Sequence, residues 1–363
     1  MRRPRVIFVV LIALILMVPP ALNACTGIIL RTLDGITLIG RTMEFGFDIK
    51  SDILVVPAGT KFTTLDGNPE KSGFTFEAKY GFAGANAIGR PVIVDGVNEK
   101  GLYFGAFYFL GPAKYAELTS ANQKKAISSE ELGNWLLSQF ATVAEIKAAL
   151  PGIVVVGTEI KEIGGIAPLH YAVTDATGAA IVIEYTQTGL RIHDNTVNAV
   201  TNNPTYDWHL TNLRKYIGLS AVNRETVKVG QQELKPFGQG TGMFGLPGDF
   251  SSPSRFVRAT AFANHALPSA NANEGVFRAF HIMNNFDIPK GAIRESDSNT
   301  LMDYTVWTSV TDTKNAVYYY KTFKTQAVER LDVRKALVDL KSPKIIKMKT
   351  EFSVTDRTDE VRQ

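Results

Sequence analysis

Cys25 is the single cysteine in a chain of 363 residues, and its place in the sequence gives it reactive chemistry. The segment before it begins with three arginines, continues with an unbroken apolar run at 6–18, and ends in small residues up to Ala24. This is the layout of a secretory signal peptide, so we predict that residues 1–24 are removed and that Cys25 becomes the first residue. A lone thiol in an exported protein has no intramolecular disulfide partner, so it is a reactive group, an intermolecular link or an accident, and its place after the predicted cleavage site argues against accident.

An N-terminal cysteine carries both a nucleophile and a base. Its thiolate attacks carbonyl carbon, and the thiol has an ordinary pKa of about 8.5. Its α-amine has an ordinary pKa of about 7.7–8.0, so it can accept the thiol proton and later deliver it to a leaving amine. This pairing suits acyl transfer from linear amides. Such a site also needs hydrogen-bond donors for the tetrahedral oxyanion and a nearby cation that favours the thiolate.

Composition limits the classes of protein that fit. The chain is 45% hydrophobic and 20% charged, which is typical of a globular protein. The net charge of +4 includes the three arginines of the predicted signal peptide, so the remaining chain is near +1 and no nucleic-acid partner is inferred. We expect no metal or other cofactor, because no ligand cluster of Cys, His and carboxylates is visible. We expect no stable membrane insertion, because the apolar run is too short to span a bilayer comfortably.

The elements that must position Cys25 are strands first and helices later. Asp34-Gly35 is a hairpin turn signal between two strands, and Thr142 is the expected N-cap of a helix that ends at Pro151. Strands are predicted at 26–31, 36–41, 52–57, 91–94, 102–109, 153–156, 170–174, 179–185, 305–311 and 316–323, helices near 132–140, 142–150, 207–219, 255–266 and 274–284, and a turn at 95–101. Because strands cluster with strands, the pattern favours an α+β fold with antiparallel sheets. We predict one domain at 25–345 and a flexible C-terminal tail at 346–363.

Five ordered blocks of sequence resemble one known family. They are Cys25-Thr26-Gly27-Ile28, the stretches 40–45, 95–102 and 201–209, and the combined runs 238–242, 245–250 and 254–256. On these blocks the chain resembles the choloylglycine hydrolases, which are bile salt hydrolases and penicillin V acylases of the N-terminal nucleophile superfamily. The resemblance implies a four-layer αββα sandwich and hydrolysis of a small-molecule N-acyl amide through a thioester acyl-enzyme. Members of the family often form homotetramers.

The resemblance also implies roles for particular residues. Cys25 would be the nucleophile and, through its amine, the base. Arg41 would lie beside the thiol and favour its charged form. Asn202 would donate its side-chain amide to the oxyanion, and Arg255 would support the site electrostatically.

Two further positions bear on geometry and substrate. Glu44 stands where the family has an Asp that holds the amine, and its side chain is one methylene longer. Tyr108 stands where penicillin V acylases typically carry Tyr and bile salt hydrolases carry Asn. Its backbone N–H would be the second oxyanion donor, and its ring would line the acyl pocket. Tyr108 therefore favours a penicillin V acylase-like activity, with conjugated bile salts or N-acyl homoserine lactones as the alternative substrates.

Two rival interpretations stay open on the sequence alone. In one, Cys25 works with a histidine as in papain, and His170 and His209 are the available partners. In the other, the residues 22–25 act as a bacterial lipobox, and the protein is a non-enzymatic lipoprotein that is anchored through a lipid on Cys25. Apart from that alternative, the predicted location is periplasmic or extracellular.

Overall fold

The structure is a computed structural model that describes residues 24–65, 72–294, 302–352 and 354–361. The predicted signal peptide, except Ala24, therefore lies outside the described residues. Within these ranges, every helix is too short or too polar to cross a lipid bilayer.

The first large sheet has seven strands, and the first of them along the chain begins at Cys25. Its order is Ala199–Val200, Cys25–Arg31, Thr37–Phe45, Met302–Asp312, Val317–Thr322 and Glu329–Asp332, with Ile293–Arg294 paired to Met302–Asp312. All of these pairings are antiparallel. Gly35 has a φ of 78° in the tight turn between the second and third strands of that order, so the predicted Asp34-Gly35 hairpin is confirmed.

The second large sheet has eight antiparallel strands. Its order is Gly189–Asp194, Ala180–Thr186, Leu169–Thr174, Tyr103–Tyr108, Arg90–Asn98, Phe82–Ala87, Ile53–Val56 and Lys344–Ile346. Four two-stranded sheets complete the β structure: Lys61–Thr63 with Thr75–Glu77, Ala126–Ser128 with Val154–Val156, Glu159–Ile160 with Gly165–Ile166, and Val227–Val229 with Gln232–Leu234. The turn predicted at 95–101 is wrong in its first half, because the strand continues to Asn98.

Helices cover the outer faces of both sheets. They are α1 Leu132–Gln139, α2 Val143–Ala149, α3 Tyr206–Leu213, α4 Ser252–His265, α5 Ala272–Met283 and α6 Val333–Leu337. Helix α1 packs on the second sheet, and helices α4 and α5 pack on the first. Between the sheets lies an apolar core with Met43 and Trp307 on one side and Ala85 and Phe107 on the other. The α+β class and the αββα sandwich are therefore confirmed.

The local signal at Thr142 gives helix α2 the predicted start. Its hydroxyl accepts a hydrogen bond from the backbone N–H of Glu145, whose carboxylate accepts from the backbone N–H of Thr142 in return. Such a reciprocal cap satisfies two of the N–H groups that a helix start leaves without partners.

Packing continues beyond residue 345, where we placed the end of the domain. Lys344–Ile346 pairs with Ile53–Val56 at the edge of the second sheet. Met348 is buried, and its backbone N–H donates to Asp52 at 3.2 Å. The hydroxyl of Thr325 donates to the backbone carbonyl of Glu351. The first residues of the proposed tail are thus held against both sheets.

Two glycines allow the second sheet to close tightly behind the strand that carries Asp95. Gly84 pairs with Gly96 across neighbouring strands. A Cβ on Gly84 would collide with the backbone carbonyl of Asp95 and with the Cα of Gly96. Since both obstacles are backbone atoms, a rotamer change cannot relieve the collision.

We expect Gly84→Ala to lower the free energy of unfolding by at least about 1–3 kcal/mol, the usual cost of overpacking. Urea unfolding would measure the loss. Gly152→Ala is the matched control, because a Cβ there meets no atom within 4 Å. Equal stability of the two variants would contradict the account of the Gly84–Gly96 contact.

Candidate active site

The hairpin that begins the first sheet places Cys25 beside Arg41 and Met43. Cys25 pairs with Met43, and Gly27 pairs with Arg41, so alternation puts these side chains on one face of the sheet. The Cys25 Sγ lies 3.7 Å from Arg41 Nη2 and 3.8 Å from Met43 Sδ. The strand register alone therefore brings a cation to the thiol.

Arg41 is completely buried, and the second sheet supplies its partners. Its Nη1 donates to the carbonyl of Val94 at 2.5 Å and lies 3.4 Å from the carboxylate of Asp95. Its Nη2 donates to the carbonyl of Ala106. The guanidinium also lies 4.4 Å from the ring centroid of Phe107, a favourable cation–π distance. These contacts replace most of the water that the cation loses on burial, although its Nε has no hydrogen-bond partner among the described residues.

Asp95 orients Arg41, and we did not predict this role from the sequence. Its carboxylate accepts from the hydroxyls of Tyr103 at 2.5 Å, Ser309 at 2.6 Å and Tyr318 at 2.7 Å. A charge buried to this degree is tolerated because each oxygen has donors. The matched block at 95–102 contained the only signal that pointed to this residue.

An irregularity in the second sheet directs Asp95 toward Arg41. Ile93 pairs with Asn86 and Asp95 pairs with Ala85, which leaves Val94 as an extra residue on its strand. A bulge of this kind changes which face the following side chains occupy. Ile93 consequently packs toward the helices, while Asp95 faces the first sheet.

Asn202 connects the backbone of Cys25 to Arg255. Its Oδ1 accepts from the Cys25 N–H at 2.7 Å and from Arg255 Nη2 at 2.7 Å. Arg255 Nη1 donates to the Cys25 carbonyl at 2.5 Å and to the Thr26 hydroxyl at 2.8 Å. With its oxygen committed to two donors, the Asn202 amide turns its nitrogen toward Tyr108, whose carbonyl accepts from Nδ2 at 2.8 Å.

The backbone N–H of Tyr108 points toward the same place. Tyr108 is opposite Leu169, but both the N–H and the carbonyl of Leu169 bond to the Tyr115 hydroxyl. Tyr108 and Leu169 are therefore a non-hydrogen-bonded pair, in which the N–H and C=O of Tyr108 point away from Leu169. Since the Tyr108 carbonyl meets Asn202, its N–H lies on the Asn202 side as well.

Glu44 reaches the pocket wall but does not hold the Cys25 nitrogen. Its Oε1 accepts from the Thr305 hydroxyl at 2.8 Å, and among the described residues its Oε2 has no hydrogen-bond partner. Burial raises the pKa of Glu44 to about 8, although the charge of Arg255 acts in the opposite direction. Burial likewise raises the pKa of the Cys25 thiol, and the charge of Arg41 opposes that effect.

The two histidines of the papain-style rival contact the backbone around Asn202. His170 Nε2 lies 2.9 Å from the carbonyl of Thr201, and His209 Nε2 lies 3.0 Å from the carbonyl of Asn202. Burial lowers the pKa of His209 to about 4. Both rings therefore hold the Asn202 segment in place, and within the described chain neither is hydrogen-bonded to the thiol.

A mostly apolar pocket, partly open to solvent, extends from Cys25. Tyr108, Val94, Ile160 and Leu169 line it, and the Tyr108 ring packs edge-on against Phe45, next to Glu44 in the chain. Its walls suit an apolar acyl group whose carbonyl carbon lies at the thiol. Within the described ranges, no group of three or more His, Cys, Asp and Glu could hold a metal ion.

Comparison with known proteins agrees with this geometry. The family model for linear amide C–N hydrolases, choloylglycine hydrolase family, matches residues 25–346. A bile salt hydrolase/transferase from Clostridium perfringens is 32% identical over 332 residues, which cover 91% of this chain and 98% of that protein. A penicillin V acylase from Pectobacterium atrosepticum is 25% identical over 318 residues, 82% of this chain and 77% of that protein.

A solved structure agrees as well. The crystal structure of a variant of conjugated bile acid hydrolase from Clostridium perfringens superposes with a TM-score of 0.81 at 32% identity. The match covers 92% of this chain and 100% of the other. The chain belongs to the choloylglycine hydrolase family of linear amide C–N hydrolases.

Proposed function

We propose that this protein hydrolyses linear N-acyl amides with Cys25 as an N-terminal nucleophile. The observation that carries the proposal is the convergence on Cys25. The thiol lies against a buried Arg41, and the nitrogen of the same residue is bonded to Asn202. An apolar pocket with room for an acyl group begins at the same point.

The first half of the reaction forms a thioester. The thiol proton passes to the free amine of Cys25, and Sγ attacks the amide carbonyl carbon. The resulting oxyanion accepts hydrogen bonds from the Tyr108 N–H and from the second N–H of Asn202 Nδ2, the first being bonded to the Tyr108 carbonyl. The ammonium then gives its proton to the leaving nitrogen as the C–N bond breaks. In the second half, water gives a proton to the amine and attacks the thioester carbon. The C–S bond then breaks, the acid is released, and the Cys25 thiolate takes the proton back from the ammonium.

Arg41, Asp95 and Arg255 take supporting parts in this mechanism. Arg41 favours the thiolate by its charge, against the burial that disfavours it. Asp95 is a positioning residue, because it contacts the cation and not the thiol. Arg255 holds Asn202 and the Cys25 carbonyl in place, so that the amine and the donors keep a fixed separation.

The reaction requires removal of the residues before Cys25. In the described chain the Cys25 nitrogen is an amide that is joined to Ala24, and an amide nitrogen cannot accept a proton at neutral pH. We therefore propose that the protein is exported and cleaved before Cys25, in the periplasm or outside the cell. A lipid on the same residue would block both reactive groups.

Two acyl classes have specific support. Tyr108 and the apolar wall favour an aryl acyl group such as the phenoxyacetyl group of penicillin V. The bile salt hydrolase/transferase relatives, which are more similar in sequence than the penicillin V acylase, favour conjugated bile salts.

We expect the processed protein to hydrolyse penicillin V or a glyco- or tauro-conjugated bile salt, in a panel that also contains acyl homoserine lactones. Cys25→Ala should lower kcat/KM by at least about a thousandfold, because it removes the nucleophile that defines the pathway. Denaturing mass spectrometry of the wild-type protein with a slow substrate should detect the thioester. Full activity in a folded Cys25→Ala protein would end the proposal.

We expect the intact mass of the secreted protein to match a chain that begins at Cys25 with a free amine. The physical reason is that both the amine and the thiol must be unmodified for proton transfer. The N-terminal peptide from a digest would locate any increment. A lipid-sized increment on that peptide would contradict the enzymatic proposal and favour the lipoprotein.

We expect the stability of a chain that retains Ala24 to fall as pH rises from about 5 to about 8. With a pKa of about 8, folded Glu44 keeps a proton that the unfolded chain releases near pH 4.5, so each pH unit in that window costs up to about 1.4 kcal/mol. Glu44→Gln should flatten this dependence in urea unfolding at several pH values. Glu233→Gln, at an exposed site, is the control, and an unchanged slope in Glu44→Gln would contradict the assignment.

A further inference from the structure

We infer that Glu184 is a positioning residue for the reaction, because it fixes both ends of the segment that carries Asn202. This inference rests on the proposed function, since it concerns the oxyanion donor of that mechanism. Glu184 lies in the strand Ala180–Thr186 of the second sheet, and its side chain is 1% exposed. It takes no part in the proposed bond changes, so a carboxylate buried to this degree requires another reason to be there.

Strand alternation turns Glu184 toward the interface between the two sheets. Ile183 and Tyr185 belong to the core under the helices, whereas Val182 belongs to the core between the sheets. Since alternate residues of a strand share a face, Glu184 points the same way as Val182. The carboxylate thus lies on the inner face of the sheet, where it needs hydrogen-bond donors or opposite charge around it.

One end of the Asn202 segment is held through His170. Glu184 Oε1 lies 3.5 Å from His170 Nδ1, and Nε2 of the same ring lies 2.9 Å from the carbonyl of Thr201. A carbonyl oxygen only accepts, so Nε2 carries a proton and donates it to Thr201. The ring is also stacked on Phe109, with 4.3 Å between the ring centroids. Glu184 and Phe109 therefore orient the ring that holds the residue before Asn202.

The other end of the segment is held by a direct hydrogen bond. Glu184 Oε1 accepts from the backbone N–H of Tyr206 at 2.8 Å. Tyr206 is the first residue of helix α3, and the N–H groups at a helix start have no partner within the helix. The carboxylate supplies that partner. His209 of the same helix lies 3.0 Å from the Asn202 carbonyl through Nε2, so fixing the start of the helix also fixes a contact with Asn202.

Glu184 is ionised at neutral pH in spite of its burial. Burial raises the pKa of this carboxyl group, but the contacts with His170 and His193 and the Tyr206 N–H together outweigh that effect and lower the pKa to about 2. His193 Nε2 lies 3.3 Å from Oε2, and its side chain is 21% exposed. It therefore meets the second carboxylate oxygen and leaves Oε1 for His170 and Tyr206.

The segment between these contacts carries the proposed oxyanion donor. The side chain of Asn202 is oriented by Arg255 and Tyr108. Its backbone is held by Ser252, whose hydroxyl accepts from the Asn202 N–H at 3.0 Å, and by the contacts that begin at Glu184. A donor displaced by about 1 Å loses much of its effect on the transition state. Loss of the Glu184 charge should thus lower turnover and leave substrate binding nearly unchanged.

The first test is Glu184→Gln in the processed protein, assayed with the substrate that the wild-type protein hydrolyses best. The amide keeps the shape of the side chain and an acceptor for Tyr206, and it removes the charge that faces His170. We expect kcat to fall about tenfold and KM to change less than about twofold, because the oxyanion is absent from the bound substrate. Glu131→Gln is the matched control and should keep both constants, since its carboxylate also accepts from a backbone N–H, that of Leu65, but lies outside the pocket lining at Cys25.

A double-mutant cycle shows whether Glu184 acts through Asn202. In an Asn202→Ala background the donor is absent, so Glu184→Gln should lower the residual kcat by less than about twofold. A general loss of folded protein would instead lower kcat about tenfold in both backgrounds.

A pair of variants tests the link through His170 without the Asn202 background. His170→Gln keeps an N–H donor for the Thr201 carbonyl, whereas His170→Met has a similar length and no donor. We expect the Gln variant to retain at least about fivefold more kcat than the Met variant, the usual effect of one hydrogen bond. If Glu184→Gln does not fold, this pair decides whether the contact with Thr201 positions the donor.

The outcomes separate this inference from the proposed function. Unchanged kcat in Glu184→Gln, an equal fall in both backgrounds of the cycle, or equal kcat in the two His170 variants would each overturn the positioning role and leave amide hydrolysis intact. Failure of the wild-type protein to hydrolyse any N-acyl amide, including penicillin V and bile salts, would overturn the proposed function and the positioning role with it.

Discussion

The burial of Arg41 between the two sheets is the constraint on which the rest of the site depends. A guanidinium without water is costly unless most of its donors are used, and here two carbonyls, one carboxylate and the ring of Phe107 meet it. Those partners all belong to the second sheet, whereas Arg41 belongs to the first. The packing of the two sheets against each other therefore also fixes the position of the cation. The same packing places the thiol of Cys25, because strand pairing holds it beside Arg41.

The nitrogen side of Cys25 is organised by a second set of contacts that meet at Asn202. An amide group offers an acceptor on one end and donors on the other, and Arg255 determines which end faces Cys25 by donating to Oδ1. The donors then face Tyr108, at the mouth of the acyl pocket. The charge of Arg41 thus acts on the thiol of Cys25, whereas the amide of Asn202 acts on the nitrogen of the same residue. This division is what a nucleophile that also serves as its own base requires.

The sequence predicted the parts of this site that follow from local signals or from matched blocks. The hairpin turn, the capped helix and the layer architecture were predictable, and Cys25, Arg41, Asn202 and Arg255 do lie together. Asp95 was missed as a partner, because we assigned it to a turn when it lies in a strand that is shifted by a bulge. Contacts such as that of Arg255 with Thr26 depend on long-range packing, and no local pattern predicts which side chains will meet.

The surroundings of the Cys25 nitrogen bear on how an amine could act as a base there. A free amine at this position would share Asn202 with Arg255, a cation, and would have Arg41 close to its own thiol. Nearby positive charge and burial both disfavour an ammonium at this position. A negative charge on Glu44 acts in the opposite direction, because it raises the pKa of the Cys25 thiol and would likewise favour an ammonium on the same residue. The protonation of such a base would then depend on the balance between the charges of Arg41 and Arg255 and that of Glu44.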